Sequence, residues 1–257
     1  MTGIAFYLIL VVFALPGILL GFTVHEYCHA RVATAYGDPL PRRQGRLSLN
    51  PAAQVHPVGL VMLLLIGFGF ARPVQFNPLI VRRGTQQALV AAAGPLSNLA
   101  IATVLGLALR LLMAVDPSST FCGIPSFADT PSGALFWVLT EGFFINVILC
   151  VFNLLPIPPL DGYRVVEGLL GGHLPRLFAW VDRNQSAIWI AALVLVFVVP
   201  QLTQGSVSPI SSLISGLYGG MARPLVGTTL PGLFPTYQYL TTPGLVPSSL
   251  LTAPCAA

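Results

Sequence analysis

The chain is 257 residues long, enough for one or at most two domains by length, but its composition is more restrictive than its length. Hydrophobic residues make up 55% of it and charged residues 8%, against roughly 25% charged in an ordinary soluble domain, so a single soluble globular enzyme is excluded. The net charge of +4 comes from twelve arginines and eight carboxylates; the arginines lie scattered between apolar runs, which argues against nucleic-acid binding and makes membrane topology the meaning of the basic balance.

Taken in chain order, residues 4–24 are uncharged with no Lys or Arg ahead of them, and they lead straight into polar residues. They read as a retained span rather than a signal peptide, helical through to about residue 36. Seven arginines (Arg31, Arg42, Arg43, Arg46, Arg72, Arg82, Arg83) then precede the next long apolar run. Short cytoplasmic loops are enriched in such cations, which puts this region inside and the N-terminus outside. Arginines flank 58–71 on both sides, so a full crossing there would place one cluster on the wrong face. With Pro57, Gly59, Gly67, Gly69 and Pro73 it is expected to be re-entrant or interfacial, irregular backbone covered by protein. Further spans are expected at 86–112 and at 133–155, the latter ending in a proline-rich stretch, with a short one at 185–200. The loop carrying Asp116 and Asp129 suits the outside, and Arg164, Arg176 and Arg183 return the chain to the inside. The tail 201–257 is rich in Pro, Gly, Ser and Thr, with helical spacing only at 207–220. The fold class is all-α: a polytopic membrane protein, a bundle of about 4–6 membrane segments with a re-entrant or interfacial segment and a proline-broken catalytic helix. Residues 1–200 form the working domain and 201–257 a tail. Cys28, Cys122, Cys150 and Cys255 form no CxxC pair, and Cys28 and Cys150, inside apolar stretches, read as small buried hydrophobes.

The chemistry begins at His25-Glu26-Tyr27-Cys28-His29. Helix positions four apart share a face, so both imidazoles can bind one zinc ion while Glu26 stands next to a coordinated water. A carboxylate so placed can take the proton of that water and hand it to a leaving amine, which is peptide-bond hydrolysis. Polar residues at the end of an apolar span are a functional site by default. A catalytic zinc wants a third protein ligand, and Asp161 in Asn153-Leu154-Leu155-Pro156-Ile157-Pro158-Pro159-Leu160-Asp161-Gly162 is the candidate. The three prolines must end the preceding helix, and the unwound chain lets Asp161 turn toward a partner. The bland alternative is a solvated Asp capping a helix at 163–170; the histidine pair tips the balance to the ligand.

HEYCH at His25 and NLLPIPPLDG at Asn153, in this order, resemble the paired motifs of the site-2 proteases, polytopic intramembrane zinc metalloproteases. The resemblance also covers Gly37-Asp38, GRLSLNP from Gly45, ARPVQFNP from Ala71 and AGPLSN from Ala93, and so most of residues 21–165. By matching positions it implies one zinc per chain on His25, His29 and Asp161, Glu26 as general base, and Asn153 as a donor that steadies the substrate backbone or oxyanion. The chain departs from the pattern LNPxxHxDPxG, with Gln54 at the usual His and His56 at the usual Asp. His56 reads as an interfacial histidine satisfied by backbone, with a substrate-gate or supporting role as the alternative. Asn98 is balanced between a helix-packing hydrogen bond and the active site. Asn146 shares a face with Asn153 two turns on, Glu141 is placed near the outer interface, Arg110 at the outer headgroups, and His173 is a solvated loop residue.

The expected activity is cleavage of a substrate's transmembrane helix near its cytoplasmic end, in a multi-pass protein of a prokaryotic cell membrane, with the bilayer and the substrate helix as partners. The extended ARPVQFNP stretch, at Val74, Gln75 and Phe76, is expected to offer a strand edge to the unwound peptide. Connections between spans are too short for a PDZ-like or nucleotide-binding domain. The competing readings are a transporter using the His/Asp cluster as an ion site, against which stand the lack of an internal repeat and the presence of Glu26, and a silent relative that binds helices without cutting, against which stands the intact His, Glu and Asp set.

Overall fold

The computed structural model describes residues 3–66, 69–116, 131–203, 216, 220–221 and 224–226. Among these residues the regular structure is helical, with one isolated antiparallel bridge between Val55 and Ala71. Chain order runs α1 (Gly3–Ala35), the short α2 (Leu40–Arg43) and α3 (Pro51–Gln54), α4 (Pro57–Ile66), α5 (Gly84–Val115), α6 (Pro131–Asn153), α7 (Asp161–Leu170), α8 (Pro175–Arg183) and α9 (Gln185–Leu193). A π-helical stretch (Val194–Val198) and α10 (Val199–Leu202) continue α9. Three of these helices are long and apolar enough to cross a membrane: Val11–Ala35 of α1, α5 and α6, with 25, 32 and 23 residues. At about 1.5 Å of rise per residue each exceeds the roughly 30 Å of a hydrocarbon core. The protein is therefore an integral, multi-pass helical membrane protein. From α9 through α10 the helical run is about 27 Å long by the same rise, a little short of that thickness.

The chain divides into two compact units. The first comprises Met1–Ile18, Ile101–Val147 and Ser208–Ala257. Phe143, Val147 and Leu109 are fully buried there, and Asn146 donates from Nδ2 to Gly142 O (2.8 Å) and Gly17 O (3.4 Å). Such bonds between membrane helices are worth only about 0.6 kcal/mol each. The tighter constraint is steric: a Cβ on Gly17 would lie 2.5 Å from Gly142 Cα, so α1 and α6 touch backbone to backbone. Val104, Leu107 and Leu111 are exposed on α5, a surface suited to lipid rather than water.

The second unit comprises Leu19–Ala100 and Ile148–Val207. Its small core of Ala33, Val81 and Val90 is flanked by Val32, Tyr36 and Phe76. α4 has ten residues, about 15 Å of rise and half of what a crossing needs. Because Val55 pairs with Ala71, the excursion through α4 leaves and returns at one level. The chain then runs as irregular backbone through Arg72–Phe76 and is pinned where Asn77 N–H donates to Asp38 Oδ2 (2.6 Å), while the other Asp38 oxygen accepts from Leu40 N–H (2.9 Å). α6 stops at Asn153, ahead of Pro156, Pro158 and Pro159, and α7 restarts at Asp161 itself. Cys28 is half-buried and Cys150 buried, both free. Most of 207–220, where the sequence suggests a last short helix, lies outside the described residues.

A leucine at Gly17 must push α6 away. Gly17→Leu is expected to destabilise the folded protein by about 1–3 kcal/mol, read as a fall of several degrees in the apparent Tm in detergent.

Candidate metal centre

His25 and His29 lie one turn apart near the end of α1, 6% and 8% exposed, and Asp161 opens α7. These three are the group of described residues able to hold a metal ion, with their ligand atoms all within 4.8 Å of one another. His25 Nε2 stands 3.1 Å and His29 Nε2 3.3 Å from the same oxygen, Asp161 Oδ2. The protons of the two rings are assigned by what lies behind them. His29 Nδ1 is 2.7 Å from Val90 O, a carbonyl that only accepts, so Nδ1 carries the proton. His25 Nδ1 is 2.6 Å from Asn98 Oδ1, and Asn98 is turned this way because its Nδ2 donates to Gly21 O (3.2 Å). In the neutral rings both Nε2 atoms are then bare, and they face a carboxylate oxygen that is itself buried without a hydrogen-bond partner. Three lone pairs converge there, an arrangement that a metal ion satisfies, or, without one, protonation of a ring. Two nitrogens and one oxygen suit zinc, whose ligand atoms, at about 2.0–2.2 Å from a tetrahedral ion, sit about 3.3–3.5 Å apart.

The wall opposite the rings is backbone. A Cβ on Gly94 of α5 would lie 2.3 Å from His29 Nε2 and 2.6 Å from His25 Nε2, so any larger residue fills the space a metal needs. Gly94 is the member of the site that motif reading passed over; its place in AGPLSN, next to a proline in a long helix, was the available signal. Gly162, whose Cβ would meet Leu154 O at 2.2 Å, lets α7 begin against the end of α6. Burial alone pushes the Asp161 carboxyl up in pKa, but positive charge at His29 and His25 pulls it well below its ordinary value; a bound cation puts charge in the same place. Farther along α7, Tyr163 donates to Asp182 Oδ1 of α8 (2.8 Å). Burial and that carboxylate hold its phenol above the usual range, so the tie persists across ordinary pH.

Glu26 is buried beside the cluster and accepts Val74 N–H at Oε2 (3.1 Å). Asn153 is half-buried and donates to Leu149 O of its own helix (2.9 Å). Val74 and Gln75 lie in the irregular stretch after the Val55–Ala71 bridge; the Phe76 side chain packs on the Ala33–Val81–Val90 core. His56 is outside the ligand group: its Nδ1 accepts Gly59 N–H (3.4 Å) and its ring lies 5.2 Å from that of Phe70. His173 is exposed, and Glu141 is buried in α6.

Membrane-length helices with a buried two-histidine, one-carboxylate cluster define a membrane protein with a candidate metal centre, and comparison with known proteins makes it a membrane metalloprotease. Residues 13–199 match the description Peptidase family M50, and the chain belongs to that family, the site-2 proteases. It is 37% identical over 184 residues to a Bacillus subtilis (strain 168) protein named "Putative zinc metalloprotease YwhC", covering 71% of this chain and 78% of that one. It is 31% identical over 196 residues to "Putative zinc metalloprotease Rip2" of Mycobacterium tuberculosis (strain H37Rv), covering 74% and 68%. Against "Putative zinc metalloprotease MJ0611" of Methanocaldococcus jannaschii it is 28% identical over 151 residues, covering 57% and 65%. No solved structure matches the chain. The family and the donor set together fit a zinc cofactor.

Gly94→Ala is expected to bind zinc at least ten-fold more weakly by filling the cradle, and Asn98→Leu, which frees the His25 ring, about 10–100-fold more weakly. Zinc titration of the two purified variants against wild type checks both.

Proposed function

We propose that this protein is an intramembrane endopeptidase that cuts the transmembrane helix of another membrane protein near its cytoplasmic end, with zinc held by His25, His29 and Asp161. The observation that carries the reading is Glu26, a buried carboxylate beside three converging lone pairs on a membrane-length helix. Zinc, when bound, supplies Lewis acidity that brings the pKa of water toward neutrality. Glu26 takes the proton of the attacking water and delivers it to the leaving amine as the peptide bond breaks. Asn153, with one amide hydrogen on Leu149 O, offers the other to the substrate carbonyl.

A helical substrate hides its carbonyls in its own hydrogen bonds, so it must unwind to be cut. Val74 N–H is turned to Glu26, and the backbone N–H and C=O of Gln75 beside it make no hydrogen bond among the described residues. In an extended chain, where alternate residues point to opposite sides, they would face away from Glu26. That edge receives the unwound peptide through main-chain bonds. The arginine pattern places the N-terminus outside and the site near the cytoplasmic face, in a prokaryotic cell membrane.

Purified wild type is expected to carry about one zinc per chain and to cut single-span helices in liposomes. Glu26→Gln should keep the metal and lose cleavage by about 10²–10⁴-fold, while Asp161→Ala should lose the metal. Zinc-dependent solute flux that survives Glu26→Gln would identify a transporter instead. Gln75→Pro, which removes one edge donor, is expected to raise KM several-fold; unchanged kinetics in that variant would remove the strand edge from the reading.

A further inference from the structure

Glu26 lies on α1, yet Val74 N–H, the backbone donor that holds its carboxylate, belongs to a stretch with no strand beside it among the described residues. That stretch is set in place by a fully buried amide, Gln54. Gln54 Nε2 donates to Arg46 O (2.8 Å) and Ser48 O (2.8 Å), and its Oε1 accepts from Arg46 Nη1 (3.2 Å). Its backbone carbonyl accepts Arg72 N–H (2.9 Å). The Arg46 guanidinium also bonds Ala53 O (2.7 Å) and reaches Pro73 O from Nη2 (3.5 Å). The two residues before Val74 are thus held by Gln54 and Arg46, and Ala71 before them by its bridge to Val55. All the hydrogen-bonding capacity of a side-chain amide except one lone pair is used here, and a buried polar network so nearly satisfied holds its members rigidly. A neutral imidazole, one donor and one acceptor, could not make the same three side-chain bonds.

We propose that Gln54 and Arg46 are positioning residues for the hydrolytic site: they fix the height and rotation of 72–74 so that Val74 N–H orients the Glu26 carboxylate. The inference rests on Glu26 acting as the base. It gives the glutamine at this position a task within the reaction, although neither Gln54 nor Arg46 touches the metal ligands.

The test is residue-resolved amide hydrogen exchange of the full-length protein in detergent, with zinc content and cleavage kinetics measured on the same preparations. In Glu26→Ala, Val74 is expected to exchange at least about ten-fold faster while Arg72 stays protected, which shows the donor and acceptor to be paired. In Gln54→Glu, of the same shape but without N–H donors, Arg72 and Val74 should both exchange faster. Its kcat should fall about ten-fold or more, its KM should stay within about three-fold, and zinc should remain near one per chain. Arg46→Lys, which keeps the charge and loses the fork, should move the same readouts in the same direction, and it decides the matter if Gln54→Glu does not fold. Unchanged Val74 exchange in the folded variants, or a freed amide with unchanged kcat, overturns the proposal. Cleavage by Glu26→Gln would strike the base assignment instead and leave the exchange pattern intact, so the two failures are told apart.

Discussion

The structure is organised around three lone pairs brought together out of water. His25 Nε2, His29 Nε2 and Asp161 Oδ2 face one another at hydrogen-bond distance, and an unpaired buried polar atom costs several kcal/mol. In neutral rings the single proton of each is held on the far side, by Val90 O and Asn98 Oδ1. A metal cation removes the penalty without protonating either ring. The acceptors behind the rings and the bare backbone of Gly94 in front of them fit a zinc cofactor better than a buried ion pair.

Bringing Asp161 to that point requires α6 to stop and the chain to restart as a helix in a new direction. Prolines end the first helix, and a glycine lets the second begin in contact with it. The Tyr163–Asp182 bond then ties α7 to α8, so the carboxylate ligand is carried by a helix that is anchored at its own first turn. A ligand on a free loop would lose orientation each time the loop moved; here the entropy of ordering the carboxylate is met when the helix folds.

The Glu26 carboxylate is held differently. Glu26 is on the same helix as the histidines, but it takes its hydrogen bond from a segment of irregular backbone that follows a short excursion through α4. Asp38, Gln54 and Arg46 hold its backbone at residues 77, 72 and 73. The polar side chains that hold this segment are thus the ones that bring a donor to Glu26.

Much of this was written in the residues themselves. Charge scarcity and long apolar runs determine a helical membrane protein, because nothing else satisfies backbone in lipid; α1, α5 and α6 lie where those runs are. The four-residue spacing of His25 and His29 determines a shared face, since helix periodicity is local, and the prolines before Asp161 determine a break. What the sequence left open was everything set by contacts between distant segments. Asn98 was balanced between packing and the active site, and only folding shows that its amide joins Gly21 O to the His25 ring. Glu141 was placed near the outer interface and is buried in α6, a burial that a span with a single carboxylate does not reveal. Gly94 has no side chain to announce it, and Gln54 stood out only as a departure from a pattern. Which atoms meet across segments far apart in the chain was decided by tertiary structure alone, because hydrogen-bond partners depend on distances that no local periodicity encodes.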